Sequence, residues 1–306
     1  MTQRERTGVL RRDPGFRLQN ATALRTSTFG PLKANVPVIG QGTWQMHAAG
    51  ARAAGAVNAL ALGIELGMTH IDTAEMYGDG RAEEIVGDAI AGKPRKDLFV
   101  VSKVLPQNAS YDGTLRACRR SLKRLRTDYL DVYLLHWRGR HPLEETMSAC
   151  ERLVDEGLIR ALGVSNFDVD DMEEARAALT RHPLACNQVL YHLEERSIEH
   201  RVLPYCQSND IALVAYSPFG HGDFGTGSSK GAQALAAIGQ RHGATPRQVA
   251  LAFLTRHPDS FTIPKAERQD HVRENAGAGD LTLTRDDIAA IDAAFPLGRN
   301  AGLPTL

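Results

Sequence analysis

The sequence predicts an α/β fold, a single-domain (β/α)8 TIM barrel, and three observations lead to it. Short apolar or β-branched runs alternate with longer stretches of helical period, the pattern of βα units around a parallel sheet. Eight such units in about 270 residues match a closed eight-stranded barrel, whereas an open doubly wound sheet usually stops nearer six strands. Hydrophobic residues make up 42% of the 306, enough to bury one large core without a second domain.

Taken in order, residues 1–25 read as an N-terminal arm, mobile or draped over the surface. Their Arg11-Arg12 pair is followed by Asp13, Pro14 and Gly15 rather than by the apolar run of an export signal. The barrel is assigned to residues 26–306. An N-terminal β-hairpin through Ser27–Pro37 opens it. The eight strands are expected at Val38–Gly42, Thr69–Thr73, Leu98–Val104, Tyr129–His136, Ile159–Val164, Ala185–Tyr191, Ala212–Tyr216 and Phe261–Pro264. Apolar positions three and four apart predict helices at Ala51–Leu66, Arg81–Ala91, Gly113–Leu125, Leu143–Glu156, Val169–Leu179, Ile198–Asn209 and Ala232–His242. A last helix, Arg285–Ala294, starts after Thr284, a good N-cap, and a C-terminal tail follows Pro296.

Lys plus Arg and Asp plus Glu both number 36, so no global field draws the chain to nucleic acid or an anionic membrane. No stretch reaches the roughly 18 to 20 apolar residues of a membrane span. The expected partner is a small molecule and the expected state a monomer, other oligomers staying open. Cys118, Cys150, Cys186 and Cys206 form neither a CxxC pair nor a metal-ligand pattern, which fits a reducing cytoplasm and no metal.

Barrel chemistry collects at the carboxyl ends of the strands, and the residues ending the apolar runs are unusual. Asp72 ends the second strand and Tyr77 follows one turn later; Lys103 ends the third; His136, beside Trp137, ends the fourth. Singly, Asp72 could cap a helix, Lys103 snorkel and His136 sit in the core. Together they form an acid-tuning device. A free phenol has a pKa near 10, a nearby ammonium lowers it, and Asp72 would keep Lys103 charged. His136, neutral beside that cation, would orient a carbonyl oxygen.

These segments resemble those of the aldo-keto reductases, whose Asp, Tyr, Lys and His tetrad falls on Asp72, Tyr77, Lys103 and His136 in this order. Further matches are Gly163-Val164-Ser165-Asn166-Phe167, Asn187-Gln188, Tyr216-Ser217-Pro218-Phe219-Gly220, Ile263-Pro264-Lys265 and Glu274-Asn275, from about Val36 to Pro296. The resemblance implies reduction of an aldehyde or ketone by hydride transfer from NADPH, with Tyr77 as general acid. It also implies that Ser165, Asn166 and Gln188 hold the nicotinamide carboxamide and that Tyr216 stacks under the ring. Gly42, Thr43, Trp44 and Asp72, the Ser217 to Gly220 segment, Lys265, Arg268, Glu274 and Asn275 complete the expected cofactor contacts.

Gly220-His221-Gly222-Asp223-Phe224-Gly225 spells a dinucleotide fingerprint, yet no helix opens promptly and no acidic strand end follows, so a Rossmann reading is rejected. The resemblance implies a loop closing over the cofactor diphosphate instead. Lys265 and Arg268 favour NADP(H), because a 2′-phosphate needs cations; Ala266, Glu267 and His271 bend the family pattern and leave NAD(H) open. Trp44, Tyr77, His136 and Trp137 are the expected substrate wall, with Arg138 and Arg140 as cations at its rim. The alternatives are a cofactor-sensing or channel-associated regulatory module on the same fold, and a metal-dependent hydrolase or lyase using Asp72, Glu75 and His136.

Overall fold

A computed structural model describes residues 24–220, 229–299 and 302–305. The hairpin pairs β1 (Thr26–Phe29) with β2 (Ala34–Pro37) antiparallel, around a 3-10 turn at Gly30–Leu32. The barrel strands are β3 (Gln41–Gly42), β4 (His70–Asp72), β5 (Phe99–Val104), β6 (Leu130–Leu135), β7 (Ile159–Ser165), β8 (Leu184–Leu190), β9 (Ala212–Tyr216) and β10 (Ser260–Thr262). They lie side by side in chain order and all pair in parallel. The barrel closes where Ile39 bridges Thr262: the Thr262 N–H donates to Val38 O at 2.9 Å and the Gly40 N–H to Thr262 O at 2.8 Å. Of the strand predicted at Val38–Gly42 only Gln41 and Gly42 pair regularly with β4, while the Gly40 and Gly42 N–H groups donate to Thr262 O and Pro264 O on the other side, so its regular part is short.

Ten α-helices occur among the described residues: α1 (Ala51–Glu65), α2 (Arg81–Ile90), α3 (Tyr111–Leu125), α4 (Leu143–Asp155), α5 (Val169–Ala178), α6 (Val202–Ser208), α7 (Lys230–His242), α8 (Pro246–Leu254), α9 (Gln269–Ala276) and α10 (Arg285–Ala294). Local capping explains several starts. Asp168, Thr245 and Thr284 each form a capping box with the residue three positions on. Two helices, α8 and α9, fall in stretches where the periodicity predicted none. The single helix expected at Ile198–Asn209 is split: a 3-10 turn occupies Ser197–Glu199 and α6 begins only at Val202. Pro204 lacks an N–H and would clash with the carbonyl four residues back, so it sits in the first turn of a new helix.

Two apolar layers hold the barrel. The larger packs the helices against the outside of the strands; Leu60, Ile85, Leu125, Met147 and Phe253 are almost fully buried in it. The inner layer fills the barrel, and at its floor Phe29 of the hairpin meets Phe99 and Phe261 at 4.8 and 4.9 Å between ring centroids. His70 completes this aromatic floor; burial, with Lys103 adding, lowers its pKa to about 3, so it is a neutral packing group.

Most of the expected arm lies outside the described residues. Its last two residues belong with the barrel, because Leu24 is buried and Arg25 donates to both the carbonyl and the hydroxyl of Thr255. The five residues after Gly220 in which the fingerprint continues are likewise outside the described residues, as are those through residue 228.

Candidate active site

The strands place four polar side chains at one end of the barrel. Lys103 is fully buried at the end of β5, where alternate side chains point inward. Its ammonium donates to Asp72 Oδ1 at 2.5 Å, to Thr73 O at 2.9 Å and to Tyr77 Oη at 3.3 Å. Asp72 Oδ2 accepts from Gln188 Nε2 at 2.7 Å, so the carboxylate is held from two sides. The Tyr77 and His136 rings stand edge to face, 5.7 Å apart.

The loop carrying Tyr77 is tied to its neighbour by Glu75, whose carboxylate accepts from Leu105 N, from Asn108 Nδ2 and from Arg120. This fastening explains how a side chain one turn beyond β4 keeps its place against a lysine of β5. It also engages Glu75, as Lys103 engages Asp72, leaving neither carboxylate available as expected for a metal-dependent hydrolase. Among the described residues no cluster of three His, Cys, Asp or Glu side chains could hold a metal ion.

Burial dominates the electrostatics. Burial lowers the Lys103 pKa, but Asp72 and Tyr77 outweigh it and the ammonium stays charged. Asp72 is pushed up by burial and pulled back by Lys103 and Gln188. Burial raises the Tyr77 phenol and Lys103 only partly offsets this, so Tyr77 is a weaker acid than a free phenol. That corrects the expectation of a net lowering: the cation is present, but the desolvation of a phenolate at this depth is the larger effect. Burial first and Lys103 second hold His136 at about 2, so its imidazole is neutral.

A cavity of about 460 Å³ opens over these groups. Its floor carries Asp72, Tyr77 and His136, with Lys103 buried behind them. Trp44, Met76 and Trp137, each more than a third exposed, form an apolar rim. On the opposite side stand Ser165, Asn166 and Gln188, then Tyr216, Ser217, Pro218, Phe219 and Gly220, and finally Lys265. Gly42 and Thr43 complete the wall. Thr43 donates to Asp72 O, and a Cβ on Gly42 would lie 2.5 Å from Ile263 O, so only glycine fits there.

Asn166 is the hinge of this wall. At φ +59° it turns back from β7, donates to His136 O and accepts from the Tyr216 hydroxyl at 2.8 Å, locking a flat aromatic ring to the end of β9. Asn tolerates this left-handed conformation better than most residues.

Three expected cofactor residues lie off the cavity. Arg268 is 71% exposed and closes on Asp270 at 2.5 Å; Asn275 is buried beneath Pro264; the Glu274 carbonyl accepts from Gln248. Lys265 reaches the cavity but pairs with Glu267 at 2.7 Å. Nor do the expected rim cations line it, since Arg138 binds Glu174 and the His141 carbonyl. The residues missed by sequence reasoning include Gln45, Met76 and above all Arg247 at the start of α8. The signal for Arg247 was Thr245-Pro246, a cap followed by proline at the first helical position, which starts a helix at the barrel mouth.

The model of the Aldo/keto reductase family matches residues 38–295. Methylglyoxal reductase YeaE of Escherichia coli is 44% identical over 263 residues, 86% of this chain and 92% of that protein. Glyoxal reductase of Bacillus subtilis is 37% identical over 232 residues, 75% of this chain and 80% of its own length. An aldo-keto reductase from Klebsiella pneumoniae, solved in complex with NADPH, superposes with a TM-score of 0.85 at 44% identity, covering 93% of this chain and 100% of that one.

Proposed function

Because the chain belongs to the aldo/keto reductase family, we propose that it reduces small aldehydes and ketones with NADPH, α-oxoaldehydes such as methylglyoxal being the preferred class. The observation that carries this reading is a protonated Tyr77 hydroxyl 3.3 Å from a buried ammonium, facing a neutral imidazole across one cavity.

The wall suits a nicotinamide. Ser165, Asn166 and Gln188 bring amide and hydroxyl groups together beside the Tyr216 ring, a donor and acceptor set that fits a carboxamide next to an aromatic platform. Lys265 would meet a phosphate. When bound, the dinucleotide supplies the hydride.

The chain's own groups handle the proton and the orientation. Tyr77 arrives carrying its proton, since burial holds the phenol neutral, and donates it to the carbonyl oxygen as negative charge develops there. Lys103, kept charged by Asp72, stabilises the phenolate left behind. His136, neutral and therefore no competing acid, offers a hydrogen bond to the same oxygen and fixes its direction. Trp44, Met76 and Trp137 exclude water and accept a short apolar substituent.

All these groups come from one chain, so a monomer suffices. The four cysteines are buried and free, which suits a reducing cytoplasm. No helix among the described residues is long and apolar enough to cross a membrane.

The test is a fluorescence titration with NADPH followed by turnover of methylglyoxal and simple aldehydes, monitored at the nicotinamide absorbance. Binding with turnover is expected. Tight binding without turnover of any carbonyl compound would favour a regulatory module, and failure to bind NADPH would refute the reading.

A further inference from the structure

The cations expected to meet the cofactor phosphates are largely engaged. Lys265 is paired with Glu267, Arg268 turns away onto Asp270, and Ala266 offers no hydroxyl. Among the described residues lining the cavity, Arg247 is the one cation without a carboxylate partner. Its guanidinium lies over the Phe219 ring, 4.8 Å from the centroid.

Three features suit it to an anion. Arg247 is the second residue of α8, whose carboxyl end leads down to the foot of β10, so its amino end stands at the mouth. Pro246 has no N–H and the capping box engages the Gln248 N–H with Thr245, so in the first turn the groups on offer are the Arg247 guanidinium and its own N–H. A guanidinium laid flat on an aromatic ring is preorganised, with its N–H fork free at the edges for phosphate oxygens.

We propose that Arg247, stacked on Phe219, is a phosphate-binding residue for the dinucleotide and takes over much of the charge neutralisation that Arg268, turned onto Asp270, does not provide in this chain. This rests on the NADPH reading above. The ligand chemistry is a phosphate ester, and it has two sources: the diphosphate common to NADPH and NADH, or the 2′-phosphate of NADPH alone.

The experiment titrates the full chain with NADPH and NADH separately, comparing wild type with R247A and with R247Q, which keeps the aliphatic stem over the ring. Loss of one charge-assisted contact should raise Kd roughly 10- to 100-fold. Equal weakening for both nucleotides assigns Arg247 to the diphosphate; weakening for NADPH alone assigns it to the 2′-phosphate. Either outcome supports the proposal. Unchanged Kd for both nucleotides in a folded R247Q, with wild type still binding, overturns it while leaving the reductase reading intact. A wild-type chain that binds neither nucleotide overturns both.

Discussion

Replacing Lys103 by methionine tests the centre of the site. The change removes the ammonium from Asp72, Thr73 O and Tyr77 at once, leaving a fully buried carboxylate with Gln188 Nε2 as its remaining side-chain donor. Removing one partner of a buried pair costs about 3–5 kcal/mol, because the other charge is stranded. Protonation of Asp72, whose pKa burial already raises, limits the cost, so K103M should lose about 3 kcal/mol of stability. Turnover should fall about 10²- to 10⁴-fold, the usual weight of a positioned general acid, since Tyr77 can no longer release its proton to form a stabilised phenolate. The double variant D72N/K103M removes the stranded charge and should recover most of the lost stability but none of the activity. Urea midpoints of the four proteins close the cycle, and nicotinamide absorbance reads turnover. Stability losses that simply add to within about 0.5 kcal/mol would refute the buried pair, and a K103M enzyme within tenfold of wild type would refute the role of the ammonium.

Tyr77→Phe should abolish turnover, by about 10²-fold or more, while leaving the NADPH titration unchanged; strong loss of binding would place Tyr77 in the cofactor site instead. Glu267→Gln frees Lys265 from its carboxylate and should tighten NADPH by about 2- to 5-fold, the worth of an exposed ion pair, with a fluorescence titration as the check. Asp287 is buried against Arg241, His242 and Thr284, and although burial raises its pKa those hydrogen bonds hold it well below the usual aspartate range. Its contribution is therefore present above about pH 3.9 and lost as the pH falls through the lower folded value. D287N should be less stable by about 2 kcal/mol near neutrality, and the gap should narrow below pH 4 in acid-denaturation curves.

The legible part of the fold was that governed by short-range pattern. Fully buried strands such as β5 and β6 read as mostly apolar runs despite Ser102 and Asp131 within them, and the polar residue at the carboxyl end of each, Lys103 or His136, stood out. What remained hidden depended on competition or on distance. The net acidity of Tyr77 is a contest between burial and a cation, and a sequence shows the cation but not the depth. Arg268 was expected at a phosphate because its position matched a pattern, yet Asp270, two residues on, draws it outward. Arg247 escaped notice because α8 is hydrophobic on nearly every side after its first turn and so lacks the amphipathic stripe that marks a surface helix.

The closing seam of the barrel has a consequence for its opening motions. β3 contributes only two residues of regular pairing, and the contact between first and last strands rests on a bridge at Ile39 and a few backbone bonds around Thr262. This is the stave most readily parted by a local fluctuation, so its amides should exchange with solvent before those of β5 through β8. Trp44 and Lys265 face the same cavity from the two sides of that seam. A molecule gripped by both acts as a hoop, and at a hundredfold excess over its Kd it should slow exchange at Gly40 and Thr262 by about 2.7 kcal/mol of added opening cost.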